Sequence, residues 1–176
     1  MQGSSRGSMA TVRGRLDDVL ASTATAGSGR ADLAAALFTI VDLLDANGPL
    51  RRGLTDPSQP GEAKVALVVR LLQGKVVAQA LDLVSDAVRL RWSRSRDLVD
   101  ALDELAVGAV VADAEAAGAV DRLEDELFRF ERTVAGAPAL ASALTDRTAS
   151  ADRRVALVDS LVSGKVTSQT ETLLRR

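Results

Sequence analysis

The sequence predicts an all-α protein, a helical bundle of the six-helix type followed by a related, incomplete helical unit. Apolar residues recur at helical spacing along almost the whole chain of 176 residues. The apolar residues are mainly Leu, Val and Ala, with only three Phe and one Trp, a composition that favours helix packing over sheets. A long segment is also repeated 90 residues later, and a hydrophobic content of 47% is enough for a core.

Two amphipathic helices are predicted near the start of the chain. The first begins close to the Ser-rich N-terminus, and the segment "ASTATAGSGR" ends it. The second begins near Ala31 and ends at "ANGP", residues 46–49, a typical helix terminator. A short piece, "LRRGLTD", follows, and the next residues, "PSQPG", are predicted as a turn. The apolar face of the first helix consists of Met9, Val12, Leu16, Val19 and Leu20.

A third main helix, "EAKVALVVRLLQ", leads to a Gly-Lys pair that resembles part of a phosphate-binding loop. Such a loop needs an earlier Gly, four residues before the pair, and a Ser or Thr after it. Val69 and Val76 occupy those places. We therefore expect Gly74 to end the helix in the left-handed conformation, with Lys75 near the negative helix end.

The chain repeats itself at an offset of 90 residues without a gap. An ungapped register of this length predicts a duplicated helical unit, and a period of 90 has the size of a small domain rather than of a solenoid repeat. The repeated segments are 54–56 and 144–146 ("LTD"), 65–68 and 155–158 ("VALV"), and 74–76 and 164–166 ("GKV").

The same offset predicts how the two units are joined. Adding 90 to the first-helix positions gives Val99, Leu102 and Ala106, on the apolar face of a helix that starts near Asp97. One long helix is therefore expected to close the first unit and open the second, with domains at 1–106 and 107–176. Since Arg176 corresponds to residue 86, the second unit should keep an apolar groove, for either further chain or a partner helix.

Composition argues against catalysis. The chain has no His, Cys or Tyr, so the commonest general base, the commonest metal ligands and every thiol nucleophile are missing. We expect a protein that is not an enzyme, with no catalytic residues, no cofactor and no metal. A net charge of -2 gives no overall attraction to nucleic acid. The N-terminus lacks a signal-peptide core and "LAAALFTIV" is too short for a span, so any membrane contact should be indirect.

Two charged segments have alternative interpretations. "RLRWSRSR" could bind nucleic acid through Arg89, Arg91, Arg94 and Arg96 around Trp92, or it could be an exposed helix end whose arginines stack on the Trp and pair with Asp97 and Asp100. The second interpretation is favoured by the acidic pI. "DRLEDELFRFER" could be a metal site, but a solvated helix face is favoured, with Leu123, Leu127 and Phe130 inward and the carboxylates, Asp121, Glu124, Asp125 and Glu126, facing water beside arginines.

The order "DANGPLRRGLTDPSQPGEAKVALVVRLLQGKVVAQALDLVSDAV" followed by "RDLVDALDEL" resembles the N-terminal domain of the delta subunit of F-type ATP synthase, the oligomycin-sensitivity-conferring protein family. "SRGSMATVRGRLDDVL" with "LFTIVDLLD" resembles its high-GC Gram-positive branch, whose members are enlarged by extra helical sequence. The family's C-terminal α/β domain has no counterpart among these residues. The resemblance therefore suggests a delta subunit that is truncated or only partly covered.

The resemblance implies a noncatalytic stator subunit on the cytoplasmic face of the cell membrane. It implies a bundle that grips N-terminal helices of alpha subunits in a groove between its first and fifth helices, and a contact with the b subunit of the peripheral stalk through the C-terminal domain. It implies no nucleic acid partner. Carried onto this chain, the groove residues are Met9, Val12, Leu16 and Val19 on the first helix and Leu81, Val84 and Val88 on the fifth.

Overall fold

We describe a computed structural model of the chain over residues 3–22, 29–146 and 148–176. These residues are helical or lie in short connections, as the sequence predicts. The segment predicted to break the first helix lies mostly outside them. In chain order the helices are α1 (Ser4–Ser22), α2 (Gly29–Ala46), α3 (Gly48–Thr55), α4 (Gly61–Leu72), α5 (Ala78–Arg89), α6 (Ser95–Ala116), α7 (Val120–Ala135), α8 (Pro138–Thr145), α9 (Ala151–Val162) and α10 (Ser168–Leu174).

The chain divides into two compact units, Met1–Ala112 (unit 1) and Asp113–Arg176 (unit 2). The helix predicted to start near Asp97 is α6, which begins at Ser95 and is continuous to Ala116. The predicted domain boundary between residues 106 and 107 lies within this helix and stays a prediction.

Unit 1 has an apolar core to which α2 and α6 contribute most of the buried residues. Leu33 and Leu37 on α2 are completely buried, because the apolar residues of this helix recur every three or four positions and face the neighbouring helices. The start of α1 is held by hydrogen bonds: Ser5 Oγ donates to Asp97 Oδ2 at 2.7 Å, and Ser8 Oγ donates to the Arg91 carbonyl oxygen at 2.6 Å. These bonds fix α1 against the start of α6.

The duplication is visible in the backbone. Helices α3 and α4 are reproduced by α8 and α9 at the predicted offset of 90 residues. Gly74 and Gly164 have φ of +75° and +71°, the left-handed conformation expected of glycines that follow a helix. The Gly-Lys pairs therefore belong to helix ends. Both copies also contain the same turn, in which Asp56 Oδ1 accepts from the Ser58 backbone N–H and Asp146 Oδ1 accepts from that of Thr148.

The segment "LRRGLTD", for which the sequence predicted no helix, is mostly helical. It forms most of α3, with Pro49 in the first turn, where its missing N–H costs nothing and its fixed φ suits the helix. "ANGP" therefore ends α2 and also starts α3. Among the described residues no single helix is long and apolar enough to cross a membrane, while the pair α2 and α3, bent by 105°, meets that test by length and composition alone.

Candidate partner-binding site

A cleft of about 240 Å³ lies between α1 and α5 in unit 1. The two helices pack directly against each other, and their apolar stripes form one wall of the unit 1 core. The cleft opens where the last two turns of α1 pass the middle of α5. It is lined by Arg15, Asp18, Val19, Ser22, Asp82, Leu83 and Asp86.

The seven residues predicted to line a groove divide into two sets. Five of them are at most 6% exposed and belong to the core of unit 1. Val19 and Leu81 are half-buried, and of the seven predicted residues only Val19 is among those that line the cleft. The accessible apolar part of this site is therefore small. The buried five are Met9, Val12, Leu16, Val84 and Val88.

A salt bridge crosses the cleft. Arg15 Nε on α1 donates to Asp86 Oδ2 on α5 at 2.9 Å, and Arg15 Nη1 lies 3.6 Å from Asp18 Oδ2. The hydrogen bond to Asp86 is the main cause that raises the pKa of Arg15, so this cation is permanent. Asp86 is shared, because Arg89 Nη1 also donates to it at 3.1 Å. Asp82 is exposed and makes no ion pair within the described ranges.

The acidic edge of the cleft was not among the residues singled out from the sequence. Apolar spacing selects positions that are buried, and the carboxylates beside them resemble any solvated helix face. A usable signal was present: Asp82 and Asp86 are four residues apart, and such residues share one face of a helix. The cleft offers apolar contact and carboxylates, a combination suited to binding a helix.

The basic cluster of the alternative interpretation is largely neutralised. Arg89 pairs with Glu62 at 3.0 Å, Arg94 pairs with Asp97 at 2.9 Å, and Arg96 pairs with Asp45 and Asp100. The predicted pairs to Asp97 and Asp100 are confirmed. The predicted stacking on Trp92 is wrong, because that ring is 7% exposed and its Nε1–H donates to the Ala87 carbonyl oxygen at 2.8 Å.

The acidic segment of α7 contains one buried carboxylate, contrary to the prediction that its carboxylates face water. Glu126 is 2% exposed. It accepts four hydrogen bonds, from Thr170 Oγ1 at 2.6 Å, from the Thr167 N–H at 2.8 Å and Oγ1 at 2.9 Å, and from Arg122 Nε at 2.8 Å. Burial raises the pKa of Glu126, but the four hydrogen bonds together outweigh it and lower the pKa to about 2. Residues Asp121, Glu124 and Asp125 are exposed as predicted, and no metal-binding group is found within the described ranges.

These features define a class: an all-α module with a duplicated helical unit and a cleft between two of its helices. The family model of the ATP synthase delta (OSCP) subunit matches residues 107–176. The chain is 44% identical over 176 residues to ATP synthase subunit delta of Beutenbergia cavernae, over 100% of this chain and 64% of the relative. It is 48% identical to that of Thermobifida fusca and 49% identical to that of Streptomyces avermitilis, each over 99% of this chain and 63% of the relative. The chain is thus similar over essentially its whole length to proteins named ATP synthase subunit delta, and the model of the ATP synthase delta (OSCP) family matches its last 70 residues.

The chain spans less than two thirds of the length of these relatives. The family model matches the second copy of the repeat, whereas the motifs that carry the resemblance in the sequence lie mainly in the first copy. The two assignments are consistent, because the copies are related by an ungapped offset of 90 residues. A partner-binding groove can therefore be sought in the first copy of the repeat or in the second.

Proposed function

We propose that this chain acts as a noncatalytic peripheral-stalk subunit of an F-type ATP synthase, linking the catalytic F1 head to the stalk and supporting proton-driven ATP synthesis. The observation that carries the proposal is 44 to 49% identity, over essentially the whole chain, to proteins named ATP synthase subunit delta. On this proposal the protein is peripheral to the membrane, on its cytoplasmic face. It holds other subunits together and performs no chemistry.

The physical demands of a stator fit an interaction module. A stator must resist torque, so its contacts have to be stiff and broad. Helix-in-groove binding supplies such contacts, because an amphipathic helix buries its apolar face along the whole groove. We propose that the cleft between α1 and α5 receives a helix of this kind, with N-terminal helices of alpha subunits as the candidate partners. We expect contact with the b subunit to involve sequence outside these 176 residues.

The exposed groove residues are the ones to test. Leu81→Glu places a charge at a predicted groove residue on α5, next to the cleft-lining Asp82, without disturbing the core, because Leu81 is only half-buried. Leu67→Glu is a matched control, since Leu67 is 39% exposed on α4, a helix that contributes no residue to the cleft lining. We expect the wild-type chain and the control to co-purify with the F1 head of the matching ATP synthase, and Leu81→Glu to lose most of that association. Failure of the wild-type chain to associate would overturn the proposed function.

The position of the groove has its own test, because the family model matches unit 2. Thr172 is the equivalent of Asp82, and Glu171 is the equivalent of Leu81. If Glu171→Lys weakens association with the head and Leu81→Glu does not, the subunit assignment holds and the groove belongs to the second copy. The alternative function, nucleic acid binding, has little support from the site because three of its four arginines are ion-paired.

A further inference from the structure

The first turn of α10 is held by one buried carboxylate of α7. Glu126 Oε2 accepts hydrogen bonds from the Thr167 N–H at 2.8 Å, from Thr167 Oγ1 at 2.9 Å and from Thr170 Oγ1 at 2.6 Å. Arg122 Nε donates to the other carboxylate oxygen, Oε1, at 2.8 Å. Thr167 is also the N-cap of α10, since its side chain accepts from the Thr170 N–H. The carboxylate and the cap together define where α10 begins and which way its first turn faces.

Apolar packing does less to place α10 than it does to place the equivalent helix of unit 1, α5. Leu83 of α5 is 1% exposed, whereas its equivalent on α10, Leu173, is half-buried. Hydrophobic contact has no preferred direction, while a hydrogen bond prescribes a distance and an angle. Another such bond, from Gln169 Nε2 to Asp113 Oδ2 at 2.6 Å, joins the first turn of α10 to α6. The placement of α10 therefore depends on its polar contacts, of which those of Glu126 are the most buried.

The hydrogen bonds of Glu126 belong to the second copy of the repeat alone. Ala36 and Ala80 stand at the equivalents of Glu126 and Thr170, and Val77 stands at the equivalent of Thr167. Helix α5 nevertheless begins 90 residues before α10, so the repeated fold forms this helix without a buried charge. Apolar residues in place of a buried, hydrogen-bonded charge are often as stable. The carboxylate therefore needs an explanation other than stability, and the second copy is also the part of the chain that the family model matches.

We propose that Glu126 is a positioning residue, whose carboxylate sets the place and direction of α10 and thereby the surface that unit 2 presents to the F1 head. This inference rests on the proposed function and names the residue on which contact through unit 2 depends. The side chain is 2% exposed, so it acts through α10 and does not itself touch a partner. Its hydrogen bonds hold the pKa of Glu126 at about 2, so the carboxylate stays ionised at neutral pH.

The test separates the position of α10 from the stability of unit 2. A triple variant, Glu126→Ala with Thr167→Val and Thr170→Ala, has the residues of unit 1 at all three positions. Because it removes the carboxylate together with the hydroxyls that donate to it, unit 2 should stay folded and the α9 amides should keep their protection from hydrogen exchange. The α10 amides should lose protection, and co-purification of the chain with the F1 head should be lost.

Two single variants complete the test. Glu126→Gln keeps the size of the side chain and one acceptor oxygen, so it should retain part of the association with the head. Glu124→Gln is the matched control, because Glu124 is an exposed carboxylate of the same helix. It should change neither the protection of α10 nor the association.

Undiminished association of the triple variant with the head would overturn the inference. So would a loss of α9 protection in step with the loss of association, in the triple variant and in Glu126→Gln, because association would then follow the stability of unit 2 rather than the position of α10. Association of the wild-type chain is measured in parallel. If the wild-type chain and the triple variant both associate, only the inference fails; if the wild-type chain does not associate, the proposed function fails.

Discussion

Units 1 and 2 share their helix order and spacing, yet they differ in what they bury. Glu126 and Thr170 of unit 2 are buried and hydrogen-bonded to each other, whereas the equivalent positions of unit 1 hold Ala36 and Ala80. Phe38 of unit 1 is 8% exposed, while its equivalent, Phe128, is 59% exposed. Unit 1 thus has the more closed apolar core, and its buried carboxylate, Asp97, accepts a hydrogen bond from Ser5 at the start of α1. Unit 2 instead has a buried carboxylate where unit 1 has an alanine. A duplicated fold can keep its backbone while the chemistry of its core changes.

The largest effect should come from removing the buried carboxylate of unit 2. In Glu126→Ala, Thr167 and Thr170 lose the acceptor of their hydrogen bonds, and each donor left buried without a partner costs about 1–3 kcal/mol. Arg122, whose side chain is 64% exposed, is solvated instead. The double variant, Glu126→Ala with Thr170→Ala, has alanines at both positions, as unit 1 has at Ala36 and Ala80. It also removes the Thr170 hydroxyl, which would otherwise be buried without its acceptor. It should therefore be less destabilised than the sum of its single variants. Hydrogen exchange of unit 2 amides measures both costs, and an additive double variant would contradict this account.

Acid should weaken unit 2 through the same group. The pKa of Glu126 is about 2 in the folded chain and has an ordinary value of 4.5. Since the folded pKa is depressed, the stabilisation is complete above pH 4.5 and is lost as the pH falls towards 2. This difference corresponds to about 3 kcal/mol.

Protection of unit 2 amides, followed from pH 6 to pH 2, checks the expectation. Glu126→Gln is the control, because it keeps the size of the side chain and removes the titration. The wild-type chain should lose protection more steeply than this variant. If protection falls equally steeply with pH in the two proteins, carboxylates other than Glu126 cause the loss of stability in acid.

A smaller difference is expected at equivalent leucines of α2 and α7. Leu37 is completely buried, and Leu127 is partly exposed. Leu→Ala substitution in a core costs about 2–5 kcal/mol, and less where the site is open to solvent. Leu37→Ala should therefore destabilise unit 1 by about 1–2 kcal/mol more than Leu127→Ala destabilises unit 2. Hydrogen exchange resolved by unit measures the two values, and equal costs would mean that the two cores are equally closed.

The sequence predicted most of the helices, though not α3, because apolar spacing is a local pattern, and it predicted the repeat because the two copies match without a gap. The sequence also identified Gly74 as a helix end. It did not predict the burial of Glu126, since a carboxylate on a charged helix face looks solvated until Thr167 and Thr170 are known to lie against it. Nor did it reveal which groove residues are accessible, because an apolar stripe looks the same whether it faces a core or a cleft. Local pattern thus located the elements, and tertiary contacts decided the site.

The smallest effect should be the same in both units. At Gly74 and Gly164 an added Cβ meets no atom within 4 Å, so only the left-handed backbone opposes alanine. That conformation costs an L-residue about 1–2 kcal/mol. Gly74→Ala and Gly164→Ala should therefore destabilise their units by equal amounts, while Gly53→Ala, at a helical glycine with open space around it, should be neutral or stabilising. Thermal and hydrogen-exchange measurements on the three variants provide the check. A clear difference between Gly74→Ala and Gly164→Ala would mean that the shared turn is held differently in the two copies, so the two units would differ in backbone energetics as well as in core chemistry.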